Sequence, residues 1–566
     1  MKSVEFAWRR TFYGLAALLA AFVYFYGLDS QHIPRNGDEL PYAHITRLTA
    51  GSGHLLPLKS GFDDMRNTKP PLLFWQGIAS TSWARHWTLW RLRYPSVLYT
   101  MLTAWLVFLL GRKLSGQTEI GFQALLIFLA FFSTYRYGRP FLTNPPEVFW
   151  LFLPFFVLLY WSPSGFGPGP WTPVFFGVLI GIGLLYKSFA LALPVLLALC
   201  WWYLHQRGYR PAAFLARDAW KIGLMGFISL AVFALWFILD PDPRAIWKEF
   251  ILGENLMKFD PKSRSYLSKL FWGGSSIWSQ ALGYPFNAGL LAFPVGALFY
   301  VSYKNRAQLT EAEKLLWILV CAFFVVFSLP SQRSTRYLLV GMPAIAVLCA
   351  INWQRINRKI FLASLAAAGF VMAVIAYLSI RLQLAMAEVH PYSLGYWILL
   401  TLTGAIIILA IFVPRLTRSG LTLGVLLVFL CFSAFARPLD GSLGTFNAAA
   451  QQYVKGKEVW VPSNFRAKEE GYRFLLPEAE VRAYPFRPDL SVAGLSAQYP
   501  LFVIRVPIQN AHSVTSNIIA QRLDLSSRHT SQQIREMLKG KVFEHIFVQE
   551  FLIDARPVPT NVPPAP

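Results

Sequence analysis

Thirteen runs of apolar residues, each near the length that crosses a bilayer as a helix, recur along this chain and limit its fold more than any other feature. They fall near residues 11–28, 94–111, 120–135, 146–161, 171–186, 188–204, 220–239, 286–303, 315–330, 337–352, 360–380, 394–413 and 420–436. In hydrocarbon every backbone N–H and C=O must be paired inside the protein, so such runs become helices. The expected fold is therefore an all-α polytopic membrane bundle of about thirteen transmembrane helices. Composition agrees: 55% of the 566 residues are hydrophobic and only 14% charged, against about a quarter charged in a soluble domain.

The formal net charge of +23 does not point to nucleic acid, because lysine and arginine are spread over short connectors rather than gathered on one face. Placed by the positive-inside rule, Arg112/Lys113, Arg207/Arg210/Arg217, Lys304/Arg306/Lys314, Arg355/Arg358/Lys359 and Arg415/Arg418 lie on the cytoplasmic side. The large loops at 29–93 and 240–285 and the chain after residue 437 then face outward, and the remaining basic character suits anionic lipid head groups. Lys2, Arg9 and Arg10 precede the first run as in a signal peptide, but no small-residue cleavage site follows, so an uncleaved span is expected. From Val174 to Leu204 only Lys187 and Ser188 interrupt the apolar sequence. Two short spans with Lys187 at the outer boundary are expected, since a lysine at mid-bilayer costs about 3 kcal/mol. The four cysteines, Cys200, Cys321, Cys349 and Cys431, sit in apolar runs without metal or redox spacing and read as packing residues.

Residues 438–566 differ in kind and are expected to form a soluble α/β domain after a transmembrane domain at 1–437. EVWVP, VRAYPF, LFVIRV and HIFVQEFLI read as strands, NIIAQRL and SQQIREMLKG as helices. No glycine-rich phosphate loop or acid/histidine constellation occurs there, which suggests a binding or stabilising module. The closing PVPTNVPPAP reads as a flexible end.

Chemistry is expected in the polar island from Asn36 to Gln76, which has acids at one end and Lys69-Pro70-Pro71 at the other. Asp38 and Glu39 stand just past the first span, where a carboxylate can serve as general base toward an acceptor or as a helix cap; the residues alone leave both readings open. Lys69, held extended by the prolines, and Lys187, deep between two apolar runs, can each bind a phosphate as a point charge; for Lys69 taken alone, snorkelling at the interface is favoured. Arg333, Arg336 and Tyr337 add donors at the same outer level. His32, His44, His54 and His86 lack ligand spacing and read as surface residues. Cations at one membrane face imply a lipid phosphate, and a carboxylate beside them implies orientation or deprotonation of an acceptor. That set suits a transferase with a phosphate-activated lipid donor, whose leaving group needs cations rather than an acid. A transporter for lipid-linked sugars would share the cations but should show repeat symmetry and midplane polar sites, which are not seen. A scaffold role in envelope assembly is a third possibility.

The text GDELPYAHITRL, GHLLP and KPPLLFW, followed in order by FLTNPPEVFW, GLLYKSFALALPVL, EFILGENLMKF and FSLPSQRSTRYLLVGMPA, resembles the aminoarabinose transferases and related protein-mannosyltransferase-like enzymes of the GT-C fold, from about residue 8 to 350. The resemblance implies an inverting glycosyltransferase of the bacterial inner membrane, with its active site and soluble domain periplasmic. It would move a sugar from a polyprenyl (undecaprenyl) phosphate to an envelope acceptor, most readily lipid A or lipopolysaccharide, with a protein or polysaccharide acceptor as the alternative. By the same resemblance Asp38 is the essential first-loop aspartate, and Lys69, Lys187, Lys258, Arg333 and Tyr337 hold the donor phosphate. Glu39, Tyr42, Asn144 and Glu147 are candidates for the acceptor site. Asn144 stands where an aspartate is expected, with Glu147 as its substitute. Thr68 and Asn255 stand where a glutamate and a histidine would form a metal pair, so no metal or other cofactor is assigned. Pro41 stands where aminoarabinose transferases commonly carry arginine, which leaves the sugar open.

Overall fold

The computed structural model describes residues 2–62, 65–161, 169–255, 266–272, 276–464, 466–487, 490–514, 516–526 and 529–556. All thirteen apolar runs carry helices. Among the described residues eight are long and apolar enough to cross a membrane: Leu89–Ser115, Phe189–Gln206, Ala219–Leu239, Gly283–Lys304, Thr335–Arg355, Arg358–Ala385, Leu394–Phe412 and Thr417–Asp440. The expected count of thirteen is not confirmed. Three apolar helices, Thr11–Phe25, Thr118–Ala130 and Trp171–Leu184, are shorter, and two others open on polar residues, Asn144 and Glu147 in one and Glu311, Glu313 and Lys314 in the other.

In chain order the elements that build the site are α1 (Lys2–Phe25), α2 (Glu39–Gly51), α3 (Leu72–Ser80), α4 (Leu89–Ser115), α5 (Thr118–Ala130), α6 (Phe132–Tyr137), α7 (Asn144–Trp161), α8 (Trp171–Leu184) and α9 (Ala192–Gln206). The segment from 174 to 204 forms two helices, with Lys187 in the turn between α8 and α9. α8 lies close against Ala219–Leu239 because Gly177 and Gly181 leave room: a Cβ at either would stand 2.7 or 2.6 Å from Ile228 or Val232. Small residues permit such approach where lipid gives helices no hydrophobic reason to associate. Thr335–Arg355 is the hub, with 83% of its apolar window buried against 22% for the peripheral Leu394–Phe412.

After the last span a five-stranded sheet runs in the order β2-β1-β3-β5-β4, with β1 (Glu458–Ser463), β2 (Glu480–Pro485), β3 (Leu501–Pro507), β4 (Ile518–Leu525) and β5 (Phe547–Asp554). β1 pairs parallel with β2 and β3, while β5 is antiparallel to β3 and β4. NIIAQRL, expected to be helical, is instead the core of β4. Its pairing with β5 and the buried Arg522–Glu550 ion pair, 2.6 Å across the two strands, override the helical spacing of its apolar residues. Ser531–Leu538 is helical as expected. The PVPTNVPPAP end lies outside the described residues.

This sheet unit is fastened to the first loop. Glu470 is fully buried and accepts from Arg47 Nη2 (2.6 Å) and His44 Nδ1 (2.9 Å), both on α2. Gln31 donates to the Gly471 carbonyl (3.1 Å), and Trp87 stacks on Phe474. His32 lies between Asp440 and Asp524. His32 and His44 are thus buried ties rather than surface residues. Burial alone would raise the Glu470 carboxyl, but donation from His44 and Arg47 outweighs it and brings it down to about 2, from an ordinary 4.5. A carboxyl depressed in this way stabilises the docked state above its unfolded value, and that contribution is lost as pH falls from about 4.5 toward 2. Proteolysis or hydrogen exchange of the sheet unit should therefore report loosening across that window, and Glu470→Gln should reduce the acid dependence, the remainder coming from Asp524, which despite burial His32 and its arginines also hold well below its ordinary range.

Candidate active site at the membrane boundary

Asn36 shapes the start of α2: its Oδ1 accepts the Asp38 N–H (3.1 Å) and its carbonyl the Glu39 N–H (3.2 Å). Asp38 then occupies the N-cap position, yet its side chain makes no capping hydrogen bond. The carboxylate turns instead to Arg336, with Oδ2 2.6 Å from Nη1, and remains half exposed. The cap reading does not account for this side chain.

From Arg336 a continuous polar relay crosses the mouth of the bundle. Arg336 lies in the 3-10 turn Thr335–Gly341 and is oriented by Ser334, which accepts its backbone N–H. Its Nε donates to Asn144 Oδ1 (2.7 Å), and its guanidinium lies 5.0 Å from the Tyr137 ring centre. Asn144 Nδ2 donates to Glu147 Oε2 (3.1 Å), and Lys187 Nζ reaches the same oxygen at 2.7 Å. Pro145 and Pro146 fill the first turn of α7, where a missing N–H costs nothing and the fixed φ suits a helix. They present Asn144 and Glu147, both buried, toward the relay. Lys187 is offered by the break between α8 and α9, and its ammonium lies 5.5 Å from the Tyr337 ring centre. Burial, then Arg336 and Lys69, push the Lys187 ammonium down to about 8 despite the Glu147 carboxylate.

Lys69 comes from the turn before α3, where it donates to the Thr68 carbonyl (2.7 Å) and to Glu254 (3.2 Å). Tyr42, one turn along α2 from Asp38, is buried, and its phenol is held well above its ordinary range by burial and then by the Asp38 carboxylate. It stays protonated and able to donate. Ser188 donates to Asn255 (2.8 Å), so the residue standing where the resemblance expects a histidine ties the segment 247–255 to the Lys187 turn.

The structure therefore gathers Asp38, Tyr42, Lys69, Asn144, Glu147, Lys187 and Tyr337, and adds Arg336, which was legible as a donor at this level but not as the centre of the relay. Two assignments change. Glu39 is buried and saturated, receiving Arg93 Nε (2.7 Å), Arg93 Nη2 (2.8 Å) and the Phe141 N–H (2.8 Å), so it fastens α2 to α4 instead of meeting an acceptor. Arg333 turns away: its Nε donates to the Ser328 carbonyl (2.7 Å), and its guanidinium sits over the Tyr266 ring. Lys258 lies outside the described residues. Removing one partner of a buried ion pair leaves the other uncompensated, so Glu39→Gln or Arg93→Met should lower stability by about 3 kcal/mol, read as a fall in the thermal midpoint of the purified protein.

Among the described residues one group has metal-ligand proximity, His44 with Glu469 and Glu470. Its donor set is already occupied: Gly61 N–H donates to His44 Nε2 (3.0 Å), which leaves the proton on Nδ1 for Glu470, and Arg47 holds the same carboxylate. That geometry fits a structural joint better than a metal centre.

The family model for dolichyl-phosphate-mannose-protein mannosyltransferase matches residues 40–247. The undecaprenyl phosphate-alpha-4-amino-4-deoxy-L-arabinose arabinosyl transferase 2 of Proteus mirabilis (strain HI4320) is 26% identical over 407 residues, covering 68% of each chain. The corresponding transferase of Edwardsiella ictaluri (strain 93-146) is 27% identical over 57% of this chain and 56% of its own length. The crystal structure of ArnT from Cupriavidus metallidurans bound to undecaprenyl phosphate superposes with a TM-score of 0.59 at 16% identity, covering 97% of this chain and 99% of that one. Sequence and fold agree with the motif reading: the chain is similar in sequence to the aminoarabinose transferases and shares the fold of the ArnT structure.

Proposed function

We propose that the protein transfers a sugar from undecaprenyl phosphate, or a similar polyprenyl phosphate, to an acceptor of the bacterial envelope, most readily lipid A or lipopolysaccharide. The reaction takes place at the periplasmic face of the inner membrane. The observation that carries this reading is the relay from Asp38 through Arg336, Asn144 and Glu147 to Lys187, which joins an accessible carboxylate to a cluster of cations at one level of the bundle. The named activities of the relatives and the lipid in the matching crystal structure support the donor class.

In the mechanism we infer, an acceptor oxygen bonds to the anomeric carbon from the face opposite the phosphate. The bond from that carbon to the phosphate oxygen breaks, and its electron pair leaves on the polyprenyl phosphate. Inversion follows from this geometry. Lys69 and Lys187 neutralise the departing phosphate, with Tyr337 packed against Lys187. Lys69 lies against Glu254 and Lys187 against Glu147, and an ammonium has three donors, so donor phosphate can share each lysine with its carboxylate without leaving Glu147 buried alone. Asp38 orients the acceptor if that group is a phosphate, which is already ionised, and takes a proton if it is a hydroxyl. Residues 1–437 would carry this chemistry, and the unit from 438 onward would hold the first loop in place. Mass spectrometry of lipid A and other envelope glycans from cells with and without the gene tests the reading. A sugar-sized mass lost on deletion is expected, and unchanged glycans in both strains overturn it.

A further inference from the structure

A polar cleft opens at the seam between the first loop and the sheet unit. Arg35, Asn36, Glu39 and Arg93 line it from the membrane side, and Lys468, Arg505, Arg522, Asp524 and Glu550 from the sheet side. Five cations meet three carboxylates there, and each carboxylate already has a close arginine. Glu39 is held by Arg93, Glu550 by Arg522 (2.6 Å), and Asp524 by Arg505 (2.7 Å). The surplus is Arg35 and Lys468. Arg35 comes no nearer than 3.8 Å to Asp524, and Lys468 forms no ion pair among the described residues, lying instead 5.8 Å from the Phe486 ring centre. The two come from opposite sides of the seam and share Asp524, whose single charge is already held by Arg505, so their repulsion is only partly offset and a further anion would relieve it. Partial burial, then Arg505 and Arg35, lower the Lys468 ammonium accordingly. Asn36 on the wall of the cleft also accepts the Asp38 N–H.

We propose that this cleft binds a phosphomonoester, the anionic group of the acceptor glycolipid that is not being modified, between Arg35 and Lys468. The assignment rests on the transferase reading for the acceptor's identity but not for the binding measurement. An acceptor with two anionic groups would then be held at two points, one beside Asp38 and the other at the seam. Docking of the sheet unit would complete that second point.

The full-length protein in phosphatidylcholine nanodiscs, titrated with diphosphoryl and monophosphoryl lipid A, tests this without requiring turnover. The wild type should bind the diphosphoryl form about tenfold more tightly, as expected for one charge-assisted phosphate contact. Arg35→Gln/Lys468→Gln should bind both forms alike, while Lys468→Arg keeps the preference. Because the double variant removes a like-charge repulsion, its thermal midpoint should not fall. Phosphatidate added to the nanodiscs distinguishes the source of the phosphomonoester: competition in the wild type but not in the double variant assigns the same cleft to a membrane phospholipid. No preference in the wild type, or an equal preference in the double variant, overturns the proposal. Asp38→Asn, which removes transfer, should leave the binding preference intact, so failure of the transferase reading and failure of the cleft are separable.

Discussion

Asp38→Asn is expected to abolish detectable transfer while the protein stays folded. The substitution conserves volume, and its amide oxygen can still accept from Arg336, now 2.6 Å from the carboxylate. No capping hydrogen bond is lost, because the Asp38 side chain makes none, and half of it faces solvent. The fold therefore has little at stake at this position, whereas the chemistry loses its only half-exposed carboxylate on the relay. A positioned general base contributes about 10²- to 10⁴-fold. The size of the loss is informative. An acceptor phosphate, already ionised, loses only its orienting partner and should fall at the lower end; a hydroxyl acceptor loses its base and should fall at the upper end. Glycans from deleted cells complemented with Asp38→Asn provide the cellular readout, alongside turnover by the purified variant. If the sugar-sized mass returns in complemented cells, the gene product remains a transferase but Asp38 is not its base.

Much of this site could be read from residue order because charges are conspicuous beside apolar runs: Lys187 stands where a structural explanation is hard to supply, whereas Asp38 and Lys69 had ordinary structural readings and were singled out by the family resemblance. The strands β1, β2, β3 and β5 were legible for a similar reason, as short β-branched or aromatic runs between turn residues. What failed depended on direction or on distant partners. Asp38 and Glu39 are adjacent, but successive residues on a helix diverge by about 100°, so one side chain meets Arg336 and the other enters the core toward Arg93. Arg333 and Arg336 are three residues apart in a stretch rich in donors, and only the turn begun at Ser334 decides which reaches the relay. His32 and His44 find partners 408 and 426 residues away, beyond any spacing argument. β4 misled because the spacing of its apolar residues also suits a helix, and the deciding partner, Glu550, arrives with the last strand.

Lys187→Met should likewise stop transfer, by at least about 100-fold, because the departing phosphate loses a preorganised cation at the moment its charge develops. The single variant also strands Glu147, whose buried carboxylate would keep only the Asn144 amide among the partners described above, and loss of a buried partner costs about 3–5 kcal/mol. Stability and chemistry are separated by adding Glu147→Gln. The double variant removes both charges, should recover most of the thermal midpoint, and should remain inactive; recovery of transfer in it would remove Lys187 from the donor site. The pH dependence gives an independent check. In the free enzyme the Lys187 ammonium is pushed down to about 8, so it is charged below that pH and neutral above it. Since donor phosphate requires the charged form, kcat/KM for the donor should fall as pH rises through about 8. Bound phosphate favours the ammonium, so the same limb in kcat should lie at higher pH. Lys187→Arg, if it turns over at all, should keep kcat/KM level through this range because guanidinium does not titrate there. A wild-type profile that stays level through pH 8 would mean that another group carries the phosphate charge.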